Sequence, residues 1–406
     1  MSLPPTLDTA TIYYSPLSNL QNAGSALFPA GGSAGYAPDG HVPTVYSYNL
    51  TVEREVPYHI LVSAAYVGQI TRHLIELVDI NSPAFGSAWL PQNQNPSQTP
   101  AYNGTTTVLT NLFRPYIGVA NYNLAEWGGT SNYNSLQLTA NRRMSQNLTF
   151  GVAYTFSKVL GTADSIYNSS ANANQNIRAT NYGRLSYDVT NNLVINYSYW
   201  FADPIRKSAG VFNNPVTRLL FNKWQSSGIL SFRSGFPATP SYSVTGQSLA
   251  NVVTGDPDFG PRVVIVPGAN PNGNKTGIFQ EFNTSAFIQA PIGSTNNTSS
   301  YDYLNLPFVS NLNLTLFKNI PVGVDSRRYF QFRLEGYNAL NATQWTGVNT
   351  SATFASLTSN TITNLPINLV NGSSVNGGRF GYGAANGVAS IGGQNRVMQV
   401  ALKFYF

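Results

Sequence analysis

The chain has 406 residues, 22 basic against 16 acidic side chains, a formal net charge of +6 and no cysteine. Charged residues make up 9% of it and aromatics 13%, whereas an ordinary soluble domain carries about 25% charge. These figures exclude a disulfide framework or thiolate metal site and a disordered chain, which would lack the aromatics; a helical membrane protein is excluded too, because no run approaches the roughly 18 to 20 apolar residues such a helix needs. The basic residues are scattered rather than clustered, so no nucleic-acid partner is expected. A transmembrane β-barrel fits, because its strands alternate and average to near-neutral hydropathy while still covering a lipid face.

Residues 1–43 contain neither a basic n-region nor an apolar h-region, so no secretory signal is read there. They are expected to be an irregular external lead-in. Strands are then expected over Thr44–Val56, Tyr58–Gly68 and Tyr133–Arg143. In "LTFGVAYTFSK" the residues Leu148, Phe150, Val152, Tyr154 and Phe156 oppose Thr149, Gly151, Ala153, Thr155 and Ser157. One set suits lipid and the other a polar lumen. The same split recurs in "LVINYSYWF" from Leu193, less regularly from Trp224 to Arg233, and in "NLNLTLF" from Asn311. "YFQFRLEGYN" sets Phe330, Phe332 and Leu334 against Gln331, Arg333 and Glu335, and "RVMQVALKFYF" closes the chain with Met398, Val400, Leu402, Phe404 and Phe406 against Gln399 and Lys403. That makes nine strands of about 10 to 13 residues, where about 9 to 11 cross a bilayer at a steep tilt.

The connections alternate in length. Short ones fall at Val56–Tyr58, Ser145–Asn147 and Asn319–Arg328, with a middling one from Phe201 to Trp224; long ones, rich in Asn, Gly, Ser, Thr and Pro, run over about 69–131, 160–191, 235–308 and 339–394. Short turns in the periplasm and long loops outside is the asymmetry of outer-membrane barrels. An odd strand count would leave two edges without partners in lipid. Either strands are hidden in the long loops or the sequence is part of a larger barrel.

Residues for chemistry are few. His59 on a strand and His41 and His73 in loops have no zinc-site spacing, and no catalytic residues, metal site or cofactor are expected. "GDPDFGPR", with Asp256 and Asp258, resembles part of an oxygen-ligand calcium loop but has only two carboxylates; an exposed loop with Pro-fixed turns is the preferred reading. "GGRFGYGAANG", Gly377 to Gly387, reads as a flexible external loop. Glu53, Gln331, Arg333, Glu335, Gln399 and Lys403 fall on the polar faces of their strands. There they line a pore, contact a plug or form interstrand ion pairs, and the structural reading is preferred.

The segments "NYNSLQLTANRRMSQNLTFGVAYTFSKVLG", "YDVTNNLVINYSYWF", "WQSSGILSFRSGFPATP", "FNTSAF" and "LNLTLFKNIPV…RRYFQFRLEGYNALNATQW" follow one another in the order of Oar-like TonB-dependent receptors, and the resemblance runs from about Thr44 onward. It implies a bacterial outer-membrane location, a plug with a TonB box ahead of a large barrel, and uptake of an external ligand powered by TonB. It also implies that Leu402, Phe404 and Phe406 resemble the C-terminal signal read by the barrel-assembly machinery, a role that coexists with simple anchoring in lipid. No plug or TonB box is read in this sequence.

The fold is therefore expected to be all-β: residues 44–406 as an antiparallel transmembrane β-barrel, a partial one of about nine to twelve strands with long extracellular loops. Its expected role is the pore wall and ligand-collecting loops of a TonB-dependent uptake system. A surface adhesion or structural protein and an independent porin are the rival readings. The expected partners are outer-membrane lipid, the barrel-assembly machinery, TonB with a plug in a full-length parent, and an external ligand whose identity the sequence does not disclose.

Overall fold

The structure, a computed structural model, describes residues 33–94, 110–117, 120–145, 147–162, 171–205, 214–273, 280–295, 302–322, 328–342, 348–365 and 395–406. Most of the lead-in, residues 1–32, and the stretch Gly377 to Gly387 lie outside them.

Among the described residues nine long strands form one antiparallel path: β1 (Thr44–Val56), β2 (Ile60–Asp79), β3 (Tyr122–Ser145), β4 (Leu148–Gly161), β5 (Asn191–Trp200), β6 (Trp224–Arg233), β7 (Val309–Pro321), β8 (Tyr329–Tyr337) and β9 (Val397–Tyr405). Each pairs with its neighbour in the sequence, and three short strands attach to the path. Among them, Ser33–Tyr36 runs parallel to Tyr122–Ala125 of β3, so part of the lead-in is regular. Among the described residues, β1 pairs only with β2 and β9 only with β8, and almost every residue of these two edge strands is exposed on both faces. Among the described residues no helix is long and apolar enough to cross a membrane.

Because side chains alternate along a strand, the register sorts the sheet into two faces. One row reads Val52, Ala64, Leu138, Tyr154, Leu193 and Phe232 across β1 to β6; the adjacent row on the other face reads Glu53, Ser63, Thr139, Ala153, Val194, Ser231 and Asn311 across β1 to β7. Aromatic side chains band the apolar face near both ends. Tyr48 and Tyr66 both donate to Asn134 Oδ1 at the long-loop end, at 3.2 and 2.7 Å. Phe330 and Phe404 pair at 4.8 Å at the short-turn end. Tyr48 lies directly opposite Gly68, and a Cβ there would sit 2.1 Å from its ring. A glycine gives the ring its bed, the usual arrangement for an aromatic covering a bare backbone.

Two expected boundaries are corrected. The second and third strands were expected to end at Gly68 and begin at Tyr133; β2 instead runs to Asp79 and β3 starts at Tyr122. The register slips between Thr71 and Leu74 and again before Glu76, with His73 in a left-handed backbone (φ 58°). These bulges break the alternation that marks a strand in the sequence. His73 therefore lies on a strand, and His59 sits in the β1–β2 turn with Tyr58, both with positive φ. With 20 and 24 residues, β2 and β3 exceed the roughly 9–11 needed to cross a bilayer, and their outer halves stand clear of it.

Those halves carry a cap. The β6–β7 and β8–β9 loops fold together: Ser241–Val244 pairs in parallel with Ser351–Ser356, which turns back on Ser359–Ile362. Tyr242, Val253, Val263, Phe282, Phe287, Leu304 and Phe354 form the apolar core of this unit. The long loops are thus packed structure over these residues.

Candidate functional site

Two surfaces invite a functional reading, the polar face of the sheet and the cap above it. On the polar face, Gln331 faces Lys403 and Asn319, Arg333 faces Ala401 and Phe317, and Glu335 faces Gln399 and Thr315. Asn311 and Thr315 alternate in phase on β7, so the register puts all six sequence-derived polar-face residues, Glu53 included, on one face. Arg333 and Glu335 form an ion pair at 2.7 Å, and Gln331 donates to Asn319 Oδ1 at 2.9 Å. The Arg333 guanidinium lies 5.7 Å from the Phe317 ring centroid. The ion pair lies within β8, and the contacts that cross to β7 are the Gln331–Asn319 hydrogen bond and the Arg333–Phe317 stack. Gln331 is buried, while Glu53, Gln399 and Lys403 are exposed on the two edge strands.

On the opposite face Leu402 and Phe404 pair with Phe332 and Phe330, and Phe404 stacks on Phe406 at 6.3 Å. Phe406 is almost fully exposed. Leu402, Phe404 and Phe406 therefore line up on the apolar side.

The cap is pinned to the outer ends of β2 and β3 by a polar knot that the sequence did not disclose. Its centre is Arg114, whose guanidinium donates to Asn111 Oδ1 (2.9 Å), the Asn81 carbonyl (2.9 Å), Asn121 Oδ1 (3.0 Å) and both oxygens of Asp258 (2.5 and 2.9 Å). All five donors of a guanidinium are accounted for by that set. Asp79 lies 3.9 Å away and accepts from the Asn81 and Tyr122 amides through Oδ1, both at 3.0 Å. Burial raises the Asp79 carboxyl above its usual range, opposed by those two amides; Asp258 raises it further and Arg114 opposes. Asp256 is fully buried, and its carboxylate accepts from the Ser82 hydroxyl and, at 3.0 Å, from the Asp258 amide.

The "GDPDFGPR" loop is therefore not the exposed turn expected of it. Its two carboxylates hold a buried arginine and a serine from the β2–β3 loop, and the positive charge among them is Arg114. Among the described residues no group of three or more acidic or histidine side chains is arranged to hold a metal ion. The backbones also meet closely: Gly86 N–H donates to the Thr254 carbonyl at 3.0 Å, and Ala88 N–H to the Gly255 carbonyl at 2.8 Å. A Cβ on Gly255, which is left-handed at φ 66°, would fall 2.5 Å from Gly86 Cα, so only glycine fits there.

The partners that join the two loops, Arg114 with Asp258 and Ser82 with Asp256 and Asp258, are 144 to 176 residues apart, which no local pattern reveals. One signal was available: in a chain with 9% charged residues, a charge inside a neutral loop is rare enough to suggest a partner. The cap core shows a related effect on Tyr242, whose burial pushes its phenol up to about 12. Tyr242 OH accepts from the Ala290 amide at 3.3 Å and its ring meets Phe354 edge-on at 5.5 Å.

No curated protein matches this chain. Among solved structures it is similar to the outer membrane transporter YddB from Escherichia coli, at 8% identity and a TM-score of 0.39. That likeness covers 80% of this chain and 32% of the other, so this chain spans about a third of that protein's length. A family model described as an outer membrane beta barrel domain matches residues 3–367. The chain belongs to this family of outer-membrane β-barrel domains, and its place is the bacterial outer membrane.

Proposed function

We propose that this chain supplies part of the wall and the external cap of a TonB-dependent uptake receptor of the Oar-like type. The polar face of the sheet lines the lumen and the apolar face meets lipid. The observation that carries the reading is the pair of open edges. β1 and β9 offer backbone groups along their outer sides with no strand partner among the described residues, a condition that hydrocarbon does not tolerate because nothing there can hydrogen-bond them. Further strands closing the wall satisfy both edges at once, and a barrel of that size encloses a lumen wide enough for a plug.

In this reading Arg333, Glu335 and Gln331 face the plug or the water around it, and the cap presents the surface that collects an external ligand. The knot at Arg114 keeps that surface rigid above the membrane. Leu402, Phe404 and Phe406 serve the barrel-assembly machinery as its recognition signal. No catalytic role is proposed.

Reading the genomic DNA upstream of the Met1 codon tests the proposal. A plug and a TonB box encoded there, in frame or across one frameshift, support it; an unrelated neighbouring gene contradicts it. Refolding the chain alone in detergent gives a second test. Heat-modifiable migration with channel conductance would replace this reading with that of an independent porin.

A further inference from the structure

The connection from β5 to β6 carries a short helix, Pro215–Phe221, whose sequence "NPVTRLLF" sets its own start. Asn214 caps it and exchanges hydrogen bonds with Thr217, and Pro215 occupies the first turn, where its missing N–H is harmless. The helix has no buried residue, and Val216, Leu219, Leu220 and Phe221 are 49–62% exposed. In water such a surface has no counterpart to cover it.

Its position supplies one. The carbonyls at its C-terminal end accept from the Lys318 ammonium, at Leu219, and from the Trp224 indole, at Leu220. Lys318 and Trp224 are directly paired across β7 and β6, and Lys318 is paired to Phe332 on β8. All three stand on the apolar face at its short-turn end. Between the helix and the end of β7 lies a cleft of about 590 Å³, lined by Arg218, Lys223, Lys318 and Asp203 together with Ile205 and Ile320. Three cations thus meet one carboxylate, and Asp203 already accepts from the Lys223 amide at 2.9 Å.

We propose that this cleft binds an anionic phospholipid of the membrane's inner leaflet. The headgroup phosphate is held by Arg218 and Lys223, with the buried Lys318 ammonium behind them adding positive charge, and the acyl chains run over Leu219, Leu220 and Phe221 onto the apolar face. Basic side chains whose stems lie on apolar surface at an interface are suited to that task, and an exposed apolar helix face beside them is the arrangement of an interfacial anchor. The inference rests on the apolar face being the lipid face and on the short turns being periplasmic.

The test inserts the full chain into phosphatidylcholine vesicles and adds spin-labelled phosphatidylglycerol or spin-labelled phosphatidylcholine. A motionally restricted lipid population of either kind reports that the sheet meets lipid. A several-fold preference for phosphatidylglycerol reports the site. The preference is expected to vanish in the double variant Arg218→Gln/Lys223→Gln, which keeps the restricted population, and to persist in Lys158→Gln at the opposite end of the apolar face. Equal association of the two lipids with the unaltered chain, or a preference surviving the double variant, overturns the site. Loss of the preference on adding inorganic phosphate, but not chloride at matched ionic strength, is expected, because the free anion competes with the headgroup phosphate for the same cations. Absence of any restricted lipid overturns the lipid-face reading and the site with it.

Discussion

In the cap, Val253, Val263, Phe282, Leu304 and Phe354 are sealed from solvent, whereas in the nine-strand wall Leu50, Val52, Leu136, Phe156, Val400 and Leu402, residues of the same kind, stand exposed. The wall buries little because lipid is its surroundings and closes over the apolar face without any protein partner. The cap stands in water and must bury its apolar surface internally. One polypeptide thus answers to two solvents, and the Arg114 knot lies at the join. Most polar groups there are satisfied by one another, as buried polar groups usually are; Asp79 Oδ2 is left with only the Arg114 charge 3.9 Å away.

Substitutions that act on only one side of this contrast sharpen it. Phe354→Ala removes a fully buried ring from the cap core and is expected to destabilise the cap by about 3–5 kcal/mol. Hydrogen exchange would show faster exchange in the cap with β4 and β5 unchanged. Arg114→Ala leaves buried Asp79 and the partly exposed Asp258 without their cation, and the cost is expected to fall below the about 3–5 kcal/mol of a fully buried broken pair. Limited proteolysis within 80–121 and 245–262 is the readout, and cleavage no faster than in the unaltered chain would remove the knot from the account.

Leu138→Arg, on the apolar face, is expected to weaken folding into vesicles by about 2–4 kcal/mol, the range for a basic residue facing the bilayer midplane. Thr139→Arg, one residue on and on the polar face, is expected to have little effect. Equal losses from the two would break the assignment of faces.

The smallest effect concerns pH. Tyr242 carries its proton more tightly in the cap than in the unfolded chain, with a folded value of about 12 against the ordinary 10.0. The stability this contributes is complete below the unfolded value and is lost as pH rises through the folded one. Between those two values the cap is expected to lose about 1.4 kcal/mol for each pH unit. Tyr242→Phe, followed by near-ultraviolet circular dichroism during alkaline titration, should remove that slope.

The wall was legible in the sequence because lipid on one side and water on the other impose a period of two on every strand, and β4 reads Leu148, Phe150, Val152, Tyr154, Phe156 without interruption. The outer halves of β2 and β3 were not, because bulges around His73 and Leu74 break the period. The cap was least legible. Its strands are short, Ser241–Val244 and Ser351–Ser356 pair across 110 residues, and Asn, Ser, Thr and Gly between them read as loop. The sequence did carry the polar-face residues, since alternation alone places Gln331, Arg333 and Glu335 together. It could not bring Ser82 to Asp256 or Arg114 to Asp258, whose meeting depends on the tertiary path of two loops.

The absence of cysteine from the sequence permits a direct measurement of the central claim, that the polar face meets water and the apolar face meets lipid. Single cysteines introduced along β4 in membranes, as Thr149→Cys, Phe150→Cys, Val152→Cys, Ala153→Cys, Tyr154→Cys and Thr155→Cys, are exposed to a charged, water-soluble thiol reagent. Rapid labelling at 149, 153 and 155 with protection at 150, 152 and 154 is the expected result. Labelling without alternation, or with the two sets exchanged, would contradict it.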